Sequence, residues 1–163
     1  MMPAQNKNLP GSVIVVSDRI KSGERIDKAG PVAVDLLQES GVEISTFTVV
    51  EEGFEPVHQE LVKALARRDR VIITIGGTGV GPRNRTPEAT EPHIDTLLPG
   101  LMTQILFSGL SNTAQAGLSR GLVGLSARDS TAALIVNAPS SSGGVRDALG
   151  VVCPLFGSIF ERL

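Results

Sequence analysis

Glycines and arginines are concentrated in one stretch, TIGGTGVGPRNRTPEAT, at positions 74–90. Four glycines fall within six positions: Gly76, Gly77, Gly79 and Gly81. Glycines allow the backbone to approach a ligand closely, and the N–H groups at a helix N-terminus favour an anion. Thr78 adds a hydroxyl donor, while Arg83 and Arg85 could pair with phosphate oxygens. The stretch therefore predicts a phosphate-binding loop, although it matches neither common nucleotide-binding glycine motif. A plain strand-to-helix connection with solvated arginines is the alternative.

A second loop of similar composition, NAPSSSGG, occupies positions 137–144. It follows an apolar run, carries three hydroxyl groups and precedes a helical pattern. Such a loop can bind a second part of a phosphorylated ligand, and the alternative is an ordinary polar turn.

Acidic side chains also follow the predicted strands. They are Asp18, Asp27, Glu51, Glu52 and Glu88. Carboxylates beside phosphates are typical of a magnesium site, because the ion bridges both. Taken one at a time, each acid is also explained as a solvated or capping residue. Glu88 in particular is suited to the positive end of a helix.

The remaining reactive side chains give weaker indications. His58 and His93 each lie within a predicted helix, and no G-x-S-x-G motif is present, so they are predicted to be packing or surface residues. The single Cys153 cannot form an internal disulfide or a thiolate zinc site. Its apolar neighbours predict a buried structural thiol.

Apolar periodicity predicts the elements that position these residues. Strands are expected at 12–17, 42–50, 71–75, 122–127 and 132–136. Helices are expected after Gly30-Pro31, at 56–68, from a Thr86 cap onward, at 101–110, at 114–118 and at 144–163. Residues 18–28 are predicted to form a loop.

Strands that alternate with helices predict one α/β domain with a mostly parallel sheet and helices on both faces. The last two strands are expected to add an antiparallel segment. Residues 1–10 are predicted to be a mobile tail and 11–163 a single domain. Ligands bind beyond the carboxyl ends of such strands, so the loops at 17–19, 51–53, 76–85 and 137–142 should meet at one edge.

Composition excludes several classes of function. The chain has 163 residues, a net charge of −2, no Trp, no Tyr and five Phe. It offers neither a basic field nor stacking platforms for nucleic acid. The N-terminal residues lack the apolar core of a secretory signal, and no apolar run of about 18 residues predicts a membrane helix. We expect a cytoplasmic protein that binds no nucleic acid and no membrane.

Several motifs in order resemble the molybdopterin-binding family, which includes molybdopterin adenylyltransferases of the MogA and MoaB type and the gephyrin G domain. The glycine stretch is similar to the family signature GGTG-x-x-x-R-D-x-TPEAT. Four further matches are VSDR at 16–19, DKAGP at 27–31, LSR at 118–120 and NAPS at 137–140. The resemblance covers roughly residues 12–163.

The resemblance implies a three-layer α/β/α fold and a homo-oligomer, usually a trimer. It implies that Mg²⁺ and ATP are used to adenylylate the terminal phosphate of molybdopterin, and that a second protein then inserts molybdate. Glu52, Arg83 and Asn84 fall at catalytic positions, with Glu52 as the magnesium ligand. The implied substrate-binding residues are Ser17, Asp18, Asp27, Gly76, Gly77, Thr78, Gly79, Glu88, Ser119, Arg120, Asn137, Pro139, Ser140 and Ser141.

This sequence departs from the family pattern at four positions. Asn84 stands where the family has an acid, and Glu52 where it usually has Asp. Ser140 replaces a glycine, and Ala29 replaces a serine. An amide cannot neutralise Mg²⁺, so two hypotheses follow: an adenylyltransferase that relies on Glu52, or a molybdopterin-binding protein without transfer. An unrelated nucleotide or sugar-phosphate enzyme on a similar sheet is the third.

Overall fold

The computed structural model describes residues 8–163. Within them, six strands form one sheet in the order β2-β1-β3-β6-β5-β4. The strands are β1 (Leu9–Val16), β2 (Val42–Val50), β3 (Val71–Ile75), β4 (Thr96–Leu97), β5 (Val123–Leu125) and β6 (Leu134–Ala138). The helices are α1 (Asp18–Lys21), α2 (Ala29–Glu39), α3 (Phe54–Ala66), α4 (Thr86–Thr90), α5 (Pro99–Leu110), α6 (Ser142–Val152) and α7 (Phe156–Phe160). Short 3₁₀ turns lie at Glu91–His93, Ala114–Leu118 and Cys153–Leu155.

The sheet is mostly parallel, as predicted. Strand β1 pairs in parallel with both β2 and β3, and β3 pairs in parallel with β6. Strand β5 runs antiparallel to β6, which confirms the expected antiparallel segment. The short strand β4, which pairs with β5, was not predicted. Two residues give too short a pattern to be recognised from sequence.

Helices cover both faces and give the three-layer fold. Alternate residues of β1 and β3 face opposite layers, as Val13 and Ile73 pack under α2 and α6 while Ile14 and Ile72 pack under α3 and α4. Burial on both faces explains why the central strands are continuously apolar in sequence.

Several predicted boundaries differ from the structure. Strand β1 begins at Leu9, three residues before the predicted Ser12, because Leu9 and Pro10 still pair with β2. The rest of the predicted N-terminal tail, residues 1–7, lies outside the described residues. The predicted loop at 18–28 begins with the helix α1, which Ser17 caps by accepting a hydrogen bond from the Ile20 N–H at 3.2 Å.

Thr86 does not cap α4, so that prediction was wrong. Arg85 occupies the N-cap position, and Thr86 is the first helical residue. Its buried hydroxyl donates instead to the carbonyl of Gly76 at 2.9 Å, because the glycine loop folds back onto the start of the helix.

The predicted closing helix is interrupted by a 3₁₀ turn at Pro154, which lacks the N–H that a continuous helix needs. Segment Ser142–Phe160 has the length and hydropathy of a membrane span, but Val145, Leu149 and Phe156 are buried against the sheet. Cys153 is a free thiol and only partly buried, and burial raises its pKa.

Candidate functional site

The loops that follow β1, β2, β3 and β6 meet at one edge of the sheet, as predicted. Strand β1 connects to β2 on one side and has β3 on the other, so the order reverses between β1 and β3. A cleft of about 1010 Å³ opens there. Open α/β sheets bind ligands at such a reversal. The cleft is lined by most of the predicted binding residues, including Ser17, Asp27, Gly77, Thr78, Gly79, Ser119, Arg120, Asn137, Pro139, Ser140 and Ser141.

Residues Gly77, Thr78 and Gly79 of the glycine loop line this cleft. Gly76 and Gly77 have φ angles of +102° and +71°, which favour glycine. The carbonyls of Thr78 and Gly79 accept hydrogen bonds from Arg120, at 2.8 Å from its backbone N–H and 2.9 Å from Nε. In residues 8–163, no protein acceptor binds the backbone N–H groups of Gly77, Thr78 and Gly79. Donors without acceptors at a cleft surface suit an anion.

Arg120 holds the glycine loop against α4. Its guanidinium donates to both Glu88 carboxylate oxygens, at 2.8 and 3.1 Å, and to the Asn84 carbonyl at 2.7 Å. These hydrogen bonds lower the pKa of Glu88. Glu88 and Arg120 were both predicted to bind substrate. In the structure they bind each other and fix the glycine loop against α4.

Arg83 connects the glycine loop to the end of β1. Its Nε and one terminal nitrogen donate to the two oxygens of Asp18, each at 3.0 Å. The Glu52 backbone N–H also donates to Asp18 at 3.0 Å and, together with Arg83, lowers the pKa of that carboxyl. Arg85 lies 3.6 Å from Glu88. Both arginines predicted for phosphate thus face carboxylates in this structure.

Glu52 and Asn84 form a direct pair. The Asn84 side-chain nitrogen donates to Glu52 Oε1 at 2.9 Å, and its Oδ1 accepts from the Gly81 N–H at 3.1 Å. Burial, with added repulsion from Asp18, raises the pKa of Glu52. The two positions of the predicted catalytic set that depart from the family therefore touch each other.

Three other predicted residues shape the loops. Asp27 accepts from the Gly30 N–H at 2.9 Å, and Ser141 accepts from the Gly144 N–H at 2.9 Å and caps α6. The buried Asn137 amide belongs to a network of its own. Its nitrogen donates to the hydroxyls of Thr74 and Thr90 at 2.9 and 3.0 Å, and its oxygen accepts from the Leu122 N–H.

The structure adds cleft residues that were not singled out from the sequence. Arg25 and Lys28 line the mouth together with the exposed Ile26, and α5 contributes Met102 and Leu106 to an apolar wall. The concentration of cations between positions 19 and 28 was the available sequence signal. The cleft thus combines charged side chains with an apolar wall, as small-molecule sites commonly do.

The acids fit a magnesium ion that is shared with a ligand better than a resident one. Across residues 8–163, no group of three or more His, Cys, Asp or Glu side chains could hold a metal. Asp18 and Glu88 are engaged by arginines, and Glu52 offers its second oxygen. Mg²⁺ is commonly bound by one or two carboxylates plus substrate phosphates, which this arrangement can provide.

The two histidines pack on each other, consistent with the predicted packing role. His93 Nε2 lies 2.9 Å from His58 Nδ1, and the rings stack at 4.9 Å. Phe54 stacks on the other face of His58 at 5.5 Å. Burial and the neighbouring His58 lower the pKa of His93.

The fold and the cleft define an α/β protein with a glycine-rich loop and a cleft at a reversal of strand order. The chain belongs to the family described as "Probable molybdopterin binding domain", which matches residues 12–157.

Known proteins similar to this chain agree with that family. A solved structure of a "Putative molybdenum cofactor biosynthesis protein" from Corynebacterium diphtheriae is 46% identical, with a TM-score of 0.89 over 96% of this chain and 98% of that chain. Molybdenum cofactor biosynthesis protein B of Bacillus cereus is 29% identical over 163 residues, 96% of this chain and 92% of that protein. Gephyrin of Dictyostelium discoideum is 33% identical over 152 residues, 87% of this chain. The chain spans only 21% of gephyrin and less than half of several other curated relatives.

Proposed function

We propose that this chain acts in molybdenum cofactor biosynthesis by binding molybdopterin and transferring an adenylyl group to it from Mg-ATP. One observation carries the proposal: residues 77–79 line the cleft, and their backbone N–H groups have no protein acceptor within residues 8–163. Both substrates bear phosphates, which such donors bind. The family and the names of the relatives support the choice of molybdopterin.

In the proposed reaction, an oxygen of the terminal phosphate of molybdopterin attacks the α-phosphorus of ATP. The new P–O bond forms as the bond to the leaving pyrophosphate breaks. Catalysis of this kind rests on positioning and charge stabilisation. Magnesium, when bound with the nucleotide, would neutralise phosphate charge, and Glu52 would hold it through the oxygen that does not bind Asn84. Residues 76–79 would hold phosphate, while Arg83 and Asn84 fix the loop.

The test is to incubate the protein with molybdopterin and Mg-ATP and to measure adenylylated molybdopterin by mass spectrometry. We expect Glu52→Gln to lower the rate by roughly 10²–10³-fold, as for removal of one charge-stabilising group. Glu55→Gln is the matched control, because Glu55 is exposed on α3 and does not line the cleft. No product with any of several divalent metals would rule out the transfer.

A second candidate function is molybdopterin binding without transfer. It is favoured by Asn84, because an amide stands where the family has an acid and Glu52 is then the single carboxylate of the predicted catalytic set. The parent would then bind molybdopterin and form no product, while Asn84→Asp would create activity. An active parent whose rate is unchanged by Asn84→Asp would contradict this candidate. Displacement of molybdopterin by simple nucleotides would instead favour an unrelated nucleotide enzyme.

We also propose a homo-oligomer, a trimer by the resemblance, in the cytoplasm. The support is α5, where Leu106, Phe107 and Leu110 are exposed, with Phe107 68% accessible. Adjacent large apolar side chains that are exposed on one helix are typical of a surface that another protein chain covers. The proposed partner is a molybdate-insertion protein, because a second protein must use the adenylylated product as its substrate.

A further inference from the structure

The side chain of Asn84 stands between two loops that come from different strands. Its nitrogen donates to Glu52 Oε1 in the loop after β2, and its oxygen accepts from the Gly81 N–H in the loop after β3. These two hydrogen bonds, at 2.9 and 3.1 Å, use the donor and the acceptor of one amide. The amide therefore links Glu52 to the glycine loop.

The glycine loop is built around this amide. A Cβ atom at Gly79 or Gly81 would lie 2.8 or 3.0 Å from Asn84 Oδ1. The Asn84 carbonyl is held by Arg120 at 2.7 Å, so the backbone at this position is fixed as well. Gly79 and Gly81 leave room for the Asn84 side chain, and the Arg120 guanidinium holds the Asn84 backbone. Together these contacts orient the Asn84 amide toward Glu52.

An ionised carboxylate at position 84 could not make the same link. It accepts hydrogen bonds and donates none, so it could still bind the Gly81 N–H but not Glu52 Oε1. Two ionised carboxylates at this separation repel each other unless a cation or a shared proton lies between them. Arg83 of the glycine loop also donates to the Glu52 carbonyl at 3.3 Å, so the backbones of the two loops are joined in either case. The identity of residue 84 thus decides how the Glu52 side chain is held to the glycine loop: by a hydrogen bond to an amide, or through a cation or a shared proton.

We propose that Asn84 is a positioning residue that joins Glu52 to the glycine loop through its amide, so that the Glu52 side chain is held against that loop without a divalent cation. The inference concerns the ligand-free protein and does not depend on adenylyl transfer, so the two proposals fail separately.

The experiment compares thermal unfolding in EDTA and in MgCl₂, with no nucleotide or molybdopterin present. The parent should have the same Tm in both conditions. Asn84→Asp should unfold roughly 2–4 °C lower in EDTA, and MgCl₂ should restore much of that loss. The double variant Glu52→Gln/Asn84→Asp reverses the pair and restores an amide-to-carboxylate hydrogen bond. It should regain the parent Tm in EDTA.

Asn8→Asp is the matched control, because Asn8 is exposed and precedes β1 at the opposite end of the sheet. It should show no dependence on magnesium. Binding of Mn²⁺ alone, followed by electron paramagnetic resonance, gives a second measurement. Asn84→Asp should gain a Mn²⁺ site that the parent and the double variant lack.

Three results would overturn the proposal: a parent that loses stability in EDTA, a single variant as stable in EDTA as the parent, or a double variant that does not recover. If Asn84→Asp does not fold in either condition, the double variant still decides. A folded, metal-independent double variant supports the amide link, and an unfolded one rejects it.

Discussion

At the level of single residues, two acidic side chains beside the cleft form ion pairs with arginines. Asp18 binds Arg83, and Glu88 binds Arg120. Each pair ties a loop to its neighbour, and in each the acid has a lowered pKa. These side chains therefore fix the positions of the loops around the cleft, irrespective of which ligand binds there.

The Glu88–Arg120 pair predicts a pH dependence of stability. A carboxyl whose pKa is lowered by folding contributes stability above its ordinary value of 4.5 and loses it as the pH falls through the folded value. At pH 7 we expect Glu88→Gln to lower Tm by up to roughly 2–4 °C, since a partly exposed pair contributes at most about 1 kcal/mol. The difference from the parent should close as the pH falls below 4.5.

Glu24→Gln serves as the control for this titration. Its ion pair with Arg19 spans 3.8 Å, with both side chains 65% accessible, so the variant should match the parent at every pH. A Glu88→Gln deficit that remained constant down to pH 3 would show that the ion pair is not its cause.

The glycine loop illustrates how elements position the site. It leaves the fully buried strand β3 and returns onto α4, where the Thr86 hydroxyl and N–H both bind loop carbonyls. Gly77 must take a positive φ of +71°, and a Cβ atom there would collide with the Thr86 hydroxyl. The loop is therefore rigid despite its glycines.

Gly77→Ala should consequently destabilise the protein by about 1–3 kcal/mol, the usual cost of a strained backbone position. Urea unfolding measures this loss, and calorimetry should show weaker binding of ATP. Gly150→Ala is the control, because Gly150 is exposed in α6 with open space around it. It should stabilise by about 0.5–1 kcal/mol through helix propensity. Equal stability of Gly77→Ala and the parent would contradict the strained geometry.

At the scale of the whole molecule, α5 presents an exposed apolar surface beside the cleft. Leu101, Met102 and Ile105 pack on the core, while Phe107 and Leu110 remain exposed. If copies of the chain assemble through this helix, Phe107→Lys should reduce the molar mass measured by light scattering to that of one 17.1 kDa chain. Charge at the core of an apolar interface is strongly disfavoured.

Gln59→Lys places the same charge on an exposed polar position of α3, on the opposite face of the sheet from α5, and should leave the assembly intact. A parent that is monomeric at all concentrations, or an assembly that survives Phe107→Lys, would exclude this helix as the interface.

Much of the fold follows from local patterns. The limits of β2 and β3 were predicted to the residue, because apolar β-branched runs end at turn residues on both sides. The prediction that four loops converge also followed, since the order of strands and helices implies a parallel sheet with one ligand-binding edge. The predicted start of β1 and the predicted Thr86 cap were wrong, because both depend on contacts with residues distant in sequence. Leu9 pairs with β2, and the Thr86 hydroxyl binds the Gly76 carbonyl.

The sequence by itself determined the family, the sheet and the glycine loop, because these depend on periodicity and on motifs of adjacent residues. Only the tertiary structure decided how the side chains pair. Arg83 and Asp18 are 65 positions apart, and Asn84 and Glu52 are 32 apart. Their contacts exist because β1 lies between β2 and β3 in the sheet, which brings the three loop ends together. Pairing across strands is a property of that order, and no local pattern encodes it.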